Sequence, residues 1–335
     1  MQTPEERGGE AVTERTGFPR PIVVVSECLG FAAVRYNGQI LRSRFVDALR
    51  DHVDFVQVCP EVGVGLGVPR DPVRLVTEHE RVRLVQPSTG RDLTEGMERY
   101  SAEFLADRTV DGFILKSRSP TCGTGDVRLY PSGTDGPPRG KGVGLFARAA
   151  GERFPLAAIE DEGRLTNLRI RHHFLETLFT VARFRAVRAH GTIRELVRFQ
   201  TEHKLLLMAR GQETLRRLGR IVGGSEGVPP EQTFDEYAEL LAPALRTPAR
   251  PGPVVNVFQH AFGYLSDELS ARERAFFLEL LEEYRAERAP LASVLAVLRA
   301  WIVRYGQPYL EQQRLFSPYP RALLELTDSG LRSRI

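Results

Sequence analysis

Three short, β-branched apolar runs decide what the first half of this chain can become. They are Pro21-Ile-Val-Val-Val-Ser26, Asp54-Phe-Val-Gln-Val58 and Asp111-Gly-Phe-Ile-Leu115. Runs of this kind, continuously apolar rather than alternating, suit strands buried on both faces of a parallel sheet. Helix-like stretches separate them, at 42–52 and 94–108. Another helix starts after Gly142-Val-Gly144 and runs to about Phe154, and Leu156-Ala-Ala-Ile159 reads as a further strand. Strands alternating with helices imply right-handed crossovers and an open, Rossmann-like α/β domain with a parallel sheet. The stretch 123–141 is dense in Gly and Pro and reads as a mobile loop.

From about residue 168 helical periodicity takes over. Phe174, Leu178, Val181 and Phe184 suit a connecting helix, and Leu196, Phe199, His203, Leu206 and Leu207 form one apolar stripe. Ser270 and Glu273 make a capping box, Pro290 opens a later helix, and Gly306 with Pro308 ends it. The expected organisation is a disordered tail over 1–19, an α/β domain over 20–170, a linker helix over 171–185 and an all-α domain over 186–335.

The cysteines sharpen this picture. There are three in 335 residues, Cys28, Cys59 and Cys122, and all lie in the first 122. So few, and an odd number, speak against a secreted disulfide framework. The opening residues lack the apolar run of a secretory signal, and no stretch is long and apolar enough to span a membrane. A cytoplasmic protein with reduced thiols, no membrane association and no obligatory protein partner is expected. Each cysteine stands at or just beyond the carboxyl end of a predicted strand, the edge at which open parallel sheets bind ligands. The spacing excludes a CxxC redox motif and a zinc ribbon, whose ligands come in close pairs. Three meanings remain open: a zinc site held by the three cysteines, a 4Fe-4S cluster on three ligands, or three unconnected buried thiols.

Several motifs carry a resemblance. Ser26-Glu-Cys28-Leu29 with Arg35-Tyr36-Asn37-Gly38, Cys59-Pro60-Glu61 with Pro69-Arg70, and Lys116-Ser-Arg-Ser119-Pro-Thr-Cys122-Gly123 resemble three ordered motifs of the thiouracil desulfidase (TudS) family. Gly142-Val-Gly-Leu-Phe146 and Glu160-Asp-Glu-Gly-Arg164 fit the end of that domain. Glu27 stands where a small residue is usual, and Asn37 where aspartate is usual. The second half resembles a YbgA-like helical domain at Leu196–Phe199, Glu202–Met208, Asn256–His260, Gly263-Tyr264 and Pro308–Gln313. The pair looks like the tRNA 4-thiouridine desulfidases (RudS).

The resemblance implies removal of sulfur from 4-thiouridine in tRNA, or alternatively from free thiouracil or 4-thio-UMP. It implies Cys28, Cys59 and Cys122 as ligands of a 4Fe-4S cluster with one open iron, and Glu61 as the base for the attacking water. Ser119, with Ser117 as the alternative, is the candidate for hydrogen bonding to that base or to the leaving sulfur. Ser26, Arg35, Tyr36, Arg70 and Lys116 are candidate substrate contacts. A different class of reading is a non-enzymatic RNA-binding protein with a structural zinc.

The net charge is only +3, from 46 basic and 43 acidic residues. Residues 183–220 nevertheless hold ten basic residues against three glutamates. Arg183, Arg194, Arg198, Lys204, Arg216, Arg217 and Arg220 are therefore candidates for a phosphate-tracking face on tRNA. The competing reading is a solvated face paired to acidic helices such as Glu279–Glu283.

Overall fold

The structure, a computed structural model, describes residues 17–79, 81–131 and 136–324. The tail expected over 1–19 lies almost entirely outside these residues. In chain order the first half contains β1 (Ile22–Ser26), α1 (Arg44–Leu49), β2 (Asp54–Val58), α2 (Pro60–Gly63), β3 (Arg74–Glu78), β4 (Arg81–Gln86), β5 (Arg91–Asp92), α3 (Thr94–Leu105), β6 (Gly112–Leu115), β7 (Val127–Pro131), β8 (Lys141–Gly142), α4 (Leu145–Arg153) and β9 (Ala158–Asp161). The long α5 (Leu168–His190) follows. After it come α6 (Ile193–Glu202), α7 (Lys204–Arg210), α8 (Gln212–Gly223), α9 (Pro230–Leu245), α10 (Pro251–Gly263), α11 (Ala271–Arg285), α12 (Leu291–Tyr305) and α13 (Pro308–Glu311).

The predicted parallel sheet is present, in the order β2-β1-β6-β9 with every pair parallel. Its continuous apolar runs are explained by burial on both faces. Val23, Val25 and Ile114 pack under α1 and the first half of α5, through Phe45, Leu49, Phe174 and Leu178. Val24, Phe113 and Leu115 pack under α3 and α4, through Met97, Leu105, Phe146 and Ala150. β2 lies on one side of β1, and β6 and β9 lie on the other, so the direction of winding reverses at β1. That reversal opens a crevice at the carboxyl edge of the sheet.

Two expectations are corrected. A second sheet, ordered β5-β4-β3-β7-β8, stands beside the first. The stretch 123–141 is not a continuous loop, because Val127–Pro131 pairs with β3 and continues to β8. Leu75 and Leu84 of this sheet join the core below α3 and α4, so it is packed rather than appended.

α5 belongs to both halves. Its first turns cover the parallel sheet, whereas Val181 and Phe184 enter the core of the helical half. Buried Asp111 fastens the junction by accepting from Arg185 at 2.9 Å and from the Ile22 backbone N–H at 2.8 Å. The helical stripe is interrupted at His203, which ends α6 and precedes α7. The capping box at Ser270 and Glu273 is formed as expected, and Gly306 closes α12 in the left-handed region with φ 58°. Among the described residues no helix is long and apolar enough to cross a membrane.

Candidate active site

A cavity of about 580 Å³ opens at the carboxyl edge of the parallel sheet and is bordered by all three cysteines. Cys28 leaves β1 in a tight turn, Cys59 occupies the N-cap of α2 immediately after β2, and Cys122 follows β6. Burial pushes the Cys28 thiol up to about 12, and the proximity of Cys122 and Cys59 adds to it. Burial pushes Cys122 up to about 11, against hydrogen bonds from Ser26 and Thr121. Cys59 is also raised by burial, opposed by a backbone hydrogen bond at Val62 and the charge of Arg70. Burial is the largest cause of the upward shift at all three thiols, and the neighbouring thiols add to it at Cys28 and Cys122.

Three thiols bordering one cavity are a soft donor set, of the kind that iron–sulfur clusters take. Among the described residues no group of three or more His, Cys, Asp or Glu side chains is gathered closely enough to hold one metal ion. All three thiols border the cavity.

Glu61 faces the same space from the first turn of α2. One carboxylate oxygen accepts from the Thr121 hydroxyl at 3.1 Å and the Ser119 hydroxyl at 3.3 Å. The other accepts from Arg70 at 2.8 Å. Arg70 also donates to the Val34 and Gly67 carbonyls and approaches the Cys59 sulfur at 3.9 Å. Ser119 accepts from the backbone N–H groups of Thr121 and Cys122, which leaves its hydroxyl hydrogen for Glu61 at 3.3 Å or the Thr121 hydroxyl at 2.9 Å. The carboxylate is therefore held on three sides with a defined orientation.

A second charged group builds the opposite wall. Lys116 pairs with Glu162, whose carboxylate also accepts from the Ser117 hydroxyl at 2.8 Å and the Ser117 backbone at 2.7 Å. The Lys116 backbone donates to Ser26 at 2.9 Å, tying β6 to the turn that carries Cys28. Asp161, buried at the end of β9, accepts from Thr124 at 2.5 Å and from the Arg164 backbone at 2.9 Å. Gly144 is required here: a Cβ on it would lie 2.4 Å from the Thr121 carbonyl oxygen, which cannot move without displacing Cys122.

Ser26, Arg35, Tyr36, Glu61, Arg70, Lys116, Ser117 and Ser119 all border the cavity. Ser117 faces Glu162 rather than Glu61, so the two serines serve different walls. Thr121, Asp161 and Glu162 were missed. The acidic run Glu160-Asp161-Glu162 directly after a strand was the available signal for the last two.

The basic segment divides. Arg194, Arg198, Lys204, Arg216, Arg217 and Arg220 are exposed on α6, α7 and α8. Arg183 is not. It is only 8% exposed, stacked under Phe18 at 4.7 Å, and burial pushes it down to about 9. It cannot track an external phosphate, because α5 is enclosed on all sides at that turn. The exposed arginines pair within their own helices, Arg198 with Glu202 and Arg216 and Arg220 with Glu213. His172 meets the Tyr319 hydroxyl at 2.6 Å and lies 3.7 Å from Glu176. His203 is a core histidine, stacked on Phe199, with Nδ1 at 2.8 Å from the Phe199 carbonyl.

The family model for 2-thiouracil desulfurase matches residues 23–162, a span that includes every residue of the site up to Glu162. The uncharacterised protein YbbK of Bacillus subtilis (strain 168) is 33% identical over 115 residues, covering 32% of this chain and 76% of that protein. The chain belongs to the 2-thiouracil desulfurase family. A second model, of a domain of unknown function called DUF1722, matches residues 204–320. The uncharacterised protein YbgA of Escherichia coli (strain K12) is 26% identical over 156 residues, covering 46% of this chain and 92% of that protein. This desulfurase-family chain is also 30% identical to a solved structure described as a [4Fe-4S]-dependent thiouracil desulfidase, TudS. That match covers 44% of this chain and 93% of the other, with a TM-score of 0.36.

Proposed function

We propose that this protein is an iron–sulfur desulfidase that converts 4-thiouridine in tRNA to uridine, with release of sulfide. The observation that carries the reading is the convergence of three buried thiols and an oriented carboxylate on one cavity at the strand ends. Cys28, Cys59 and Cys122 would hold a 4Fe-4S cluster. Bound by three thiolates, such a cluster has one iron with an open position, a soft Lewis acid suited to a thione sulfur.

The chain's own residues supply the rest. Water replaces sulfur at the ring carbon, so one water is consumed and one hydrogen sulfide leaves per turnover. Glu61 takes the proton of the attacking water, and Thr121 and Ser119 fix the oxygen that receives it. Arg70 anchors the other oxygen and screens the carboxylate from the neighbouring Cys59. Lys116 and Glu162 keep the facing wall rigid around Ser117. The exposed basic face of α6–α8 supports a folded RNA as the partner, met through its backbone with the target base turned out of its stack.

Anaerobically purified protein, assayed for iron and labile sulfide, is incubated with thiolated tRNA while the thiouridine absorbance is followed. Loss of the band with one sulfide per base removed is expected. An unchanged band with a full cluster overturns the proposal, and zinc in place of iron and sulfide points to a structural metal in a non-enzymatic RNA-binding protein.

A further inference from the structure

Five polar side chains share one face of α5. Arg169, His172, His173, Glu176 and Thr177 recur at the three- and four-residue steps that align side chains along a helix. The adjoining face, with Phe174, Leu175 and Leu178, is apolar and packs on the parallel sheet. The polar face meets the helical half instead. Arg169 donates to the Ala249 carbonyl at 3.5 Å, and Thr177 to the Leu245 carbonyl at 3.5 Å. Between them the His173 ring is hydrogen-bonded to the Arg246 backbone. His172 meets the Tyr319 hydroxyl at 2.6 Å. At the centre Glu176 pairs with Arg210, the last residue of α7, which also donates to the Thr247 carbonyl.

The central pair is buried, with side chains 3% exposed at Arg210 and 8% at Glu176. Burial works against the charge of Glu176, yet Arg210 holds its carboxyl below the ordinary value. Such a pair carries a desolvation cost that an apolar seam would not. What a polar seam supplies is direction. Its bonds weaken steeply when the partners shift, whereas packed apolar helix faces slide past one another. The ends of α5 give that direction a use. At its start Asn167 caps it, Arg171 donates to the Leu165 carbonyl at 2.7 Å, and the preceding Gly163 and Arg164 border the cavity. At its far end, 23 residues on, it leads into α6, while Arg210 precedes α8 by one residue. The exposed Arg194, Arg198, Arg216 and Arg217 lie on these two helices. One helix thus joins the cysteine pocket to the basic face, and the seam sets how the helical half is turned about it.

We infer that Glu176 and Arg210 are positioning residues: their buried pair holds the basic face of α6–α8 in register with the cavity mouth. A base of an RNA bound on that face is thereby delivered to the cysteine pocket, whereas a small substrate enters without needing the register. This rests on the reading of the protein as a tRNA desulfidase and deepens it by naming what couples its two halves. The pair touches neither the cavity nor the exposed basic face, so its effect is on their relative placement alone.

The test is the cluster-loaded double variant Glu176→Met with Arg210→Met, which exchanges the pair for apolar side chains of similar volume and spares the fold an unpaired buried charge. It is expected to keep a cooperative unfolding transition, to bind tRNA lacking thiouridine as the parent does, and to act on free 4-thiouridine as the parent does. Its rate on saturating thiolated tRNA should fall by about tenfold or more. Amide exchange over 246–249 should quicken, and Arg210→Lys, which keeps the charge without the fork, should lie between parent and double variant. If the double variant matches the parent on thiolated tRNA, or loses both substrates equally, the inference is wrong. A fall in tRNA affinity with an unchanged rate at saturation also overturns it, because the pair would then shape the face rather than its register. Quickened exchange in the variant of a protein whose parent removes sulfur from no thiolated base, nucleoside or RNA leaves the seam standing and sinks the desulfidase reading instead.

Discussion

Around the cavity, buried charge is answered: Glu61 meets Arg70, and Glu162 meets Lys116. The helical half answers some of its buried charge, Arg210 with Glu176 and Arg314 with Glu202, but leaves polar atoms of buried Arg183 and of neutral His203 unbonded. Nε and Nη2 of Arg183 and Nε2 of His203 have no hydrogen-bond partner among the described residues. A fully paired polar wall keeps its geometry when a substrate arrives, since each group already has a fixed orientation. An unpaired buried guanidinium carries its desolvation cost without return. The first pattern belongs to a site, and the second to a junction whose enclosure is set by Phe18 and α5.

The strongest way to break this comparison is at the thiols. Cys122→Ala is expected to abolish iron binding and turnover together, read by iron content and the visible absorbance of the anaerobic protein. Retention of both would separate the cysteines from the site. Next comes Glu61→Gln, which keeps the shape and the hydrogen-bonding capacity toward Arg70 in part but removes the base. Turnover should fall by about 10²–10⁴-fold with iron content unchanged. A loss of iron instead would make Glu61 a structural support of the cysteine site.

Smaller effects test the helical half. Arg216→Ala with Arg217→Ala should weaken tRNA binding and reduce the slope of log affinity against log salt by about one per lost phosphate contact. An unaltered slope would assign the basic face to solvation alone. Arg183→Met removes the unpaired charge and keeps most of the stacking on Phe18. Its Tm should rise by roughly 2 °C or more, whereas a marked fall would reveal a partner that Arg183 satisfies.

The smallest effect is on pH. Burial holds His203 down to about 3 and His173 down to about 4, against an ordinary value of 6.5. The unfolded chain therefore binds more protons than the folded one in that interval. Stability from these residues is complete above about pH 6.5 and declines as the pH falls toward 4. His203→Gln should give a shallower decline of Tm over the same range.

The sequence made the parallel sheet visible because Ile22–Ser26 and Gly112–Leu115 are apolar without alternation, which only two-sided burial explains. It concealed β3 and β4, whose Arg74, Arg81 and Arg83 interrupt the apolar residues in the manner of half-solvated strands. The cysteines were legible because each follows a strand, and Glu61 only through the motif resemblance. Thr121 and Glu162 were not, because their roles depend on loops 60 and 45 residues away in the chain closing on Glu61 and Ser117. Arg183 was misjudged for a related reason. Local charge density counts residues, but the turn of α5 that Phe18 covers is decided only by tertiary packing.

The strand order has a consequence for how the protein is made. Cys28, Cys59, Cys122 and Asp161 stand at the ends of β1, β2, β6 and β9, so no two of the four walls come from the same local hairpin. During synthesis the three thiols are not brought to one edge until β6 has emerged and paired with β1, long after the first thiol has left the ribosome. A cluster held as proposed would load only after β6 has joined β1 and β2. Once loaded, it would bridge strands that are distant in sequence and resist the opening of each of the three.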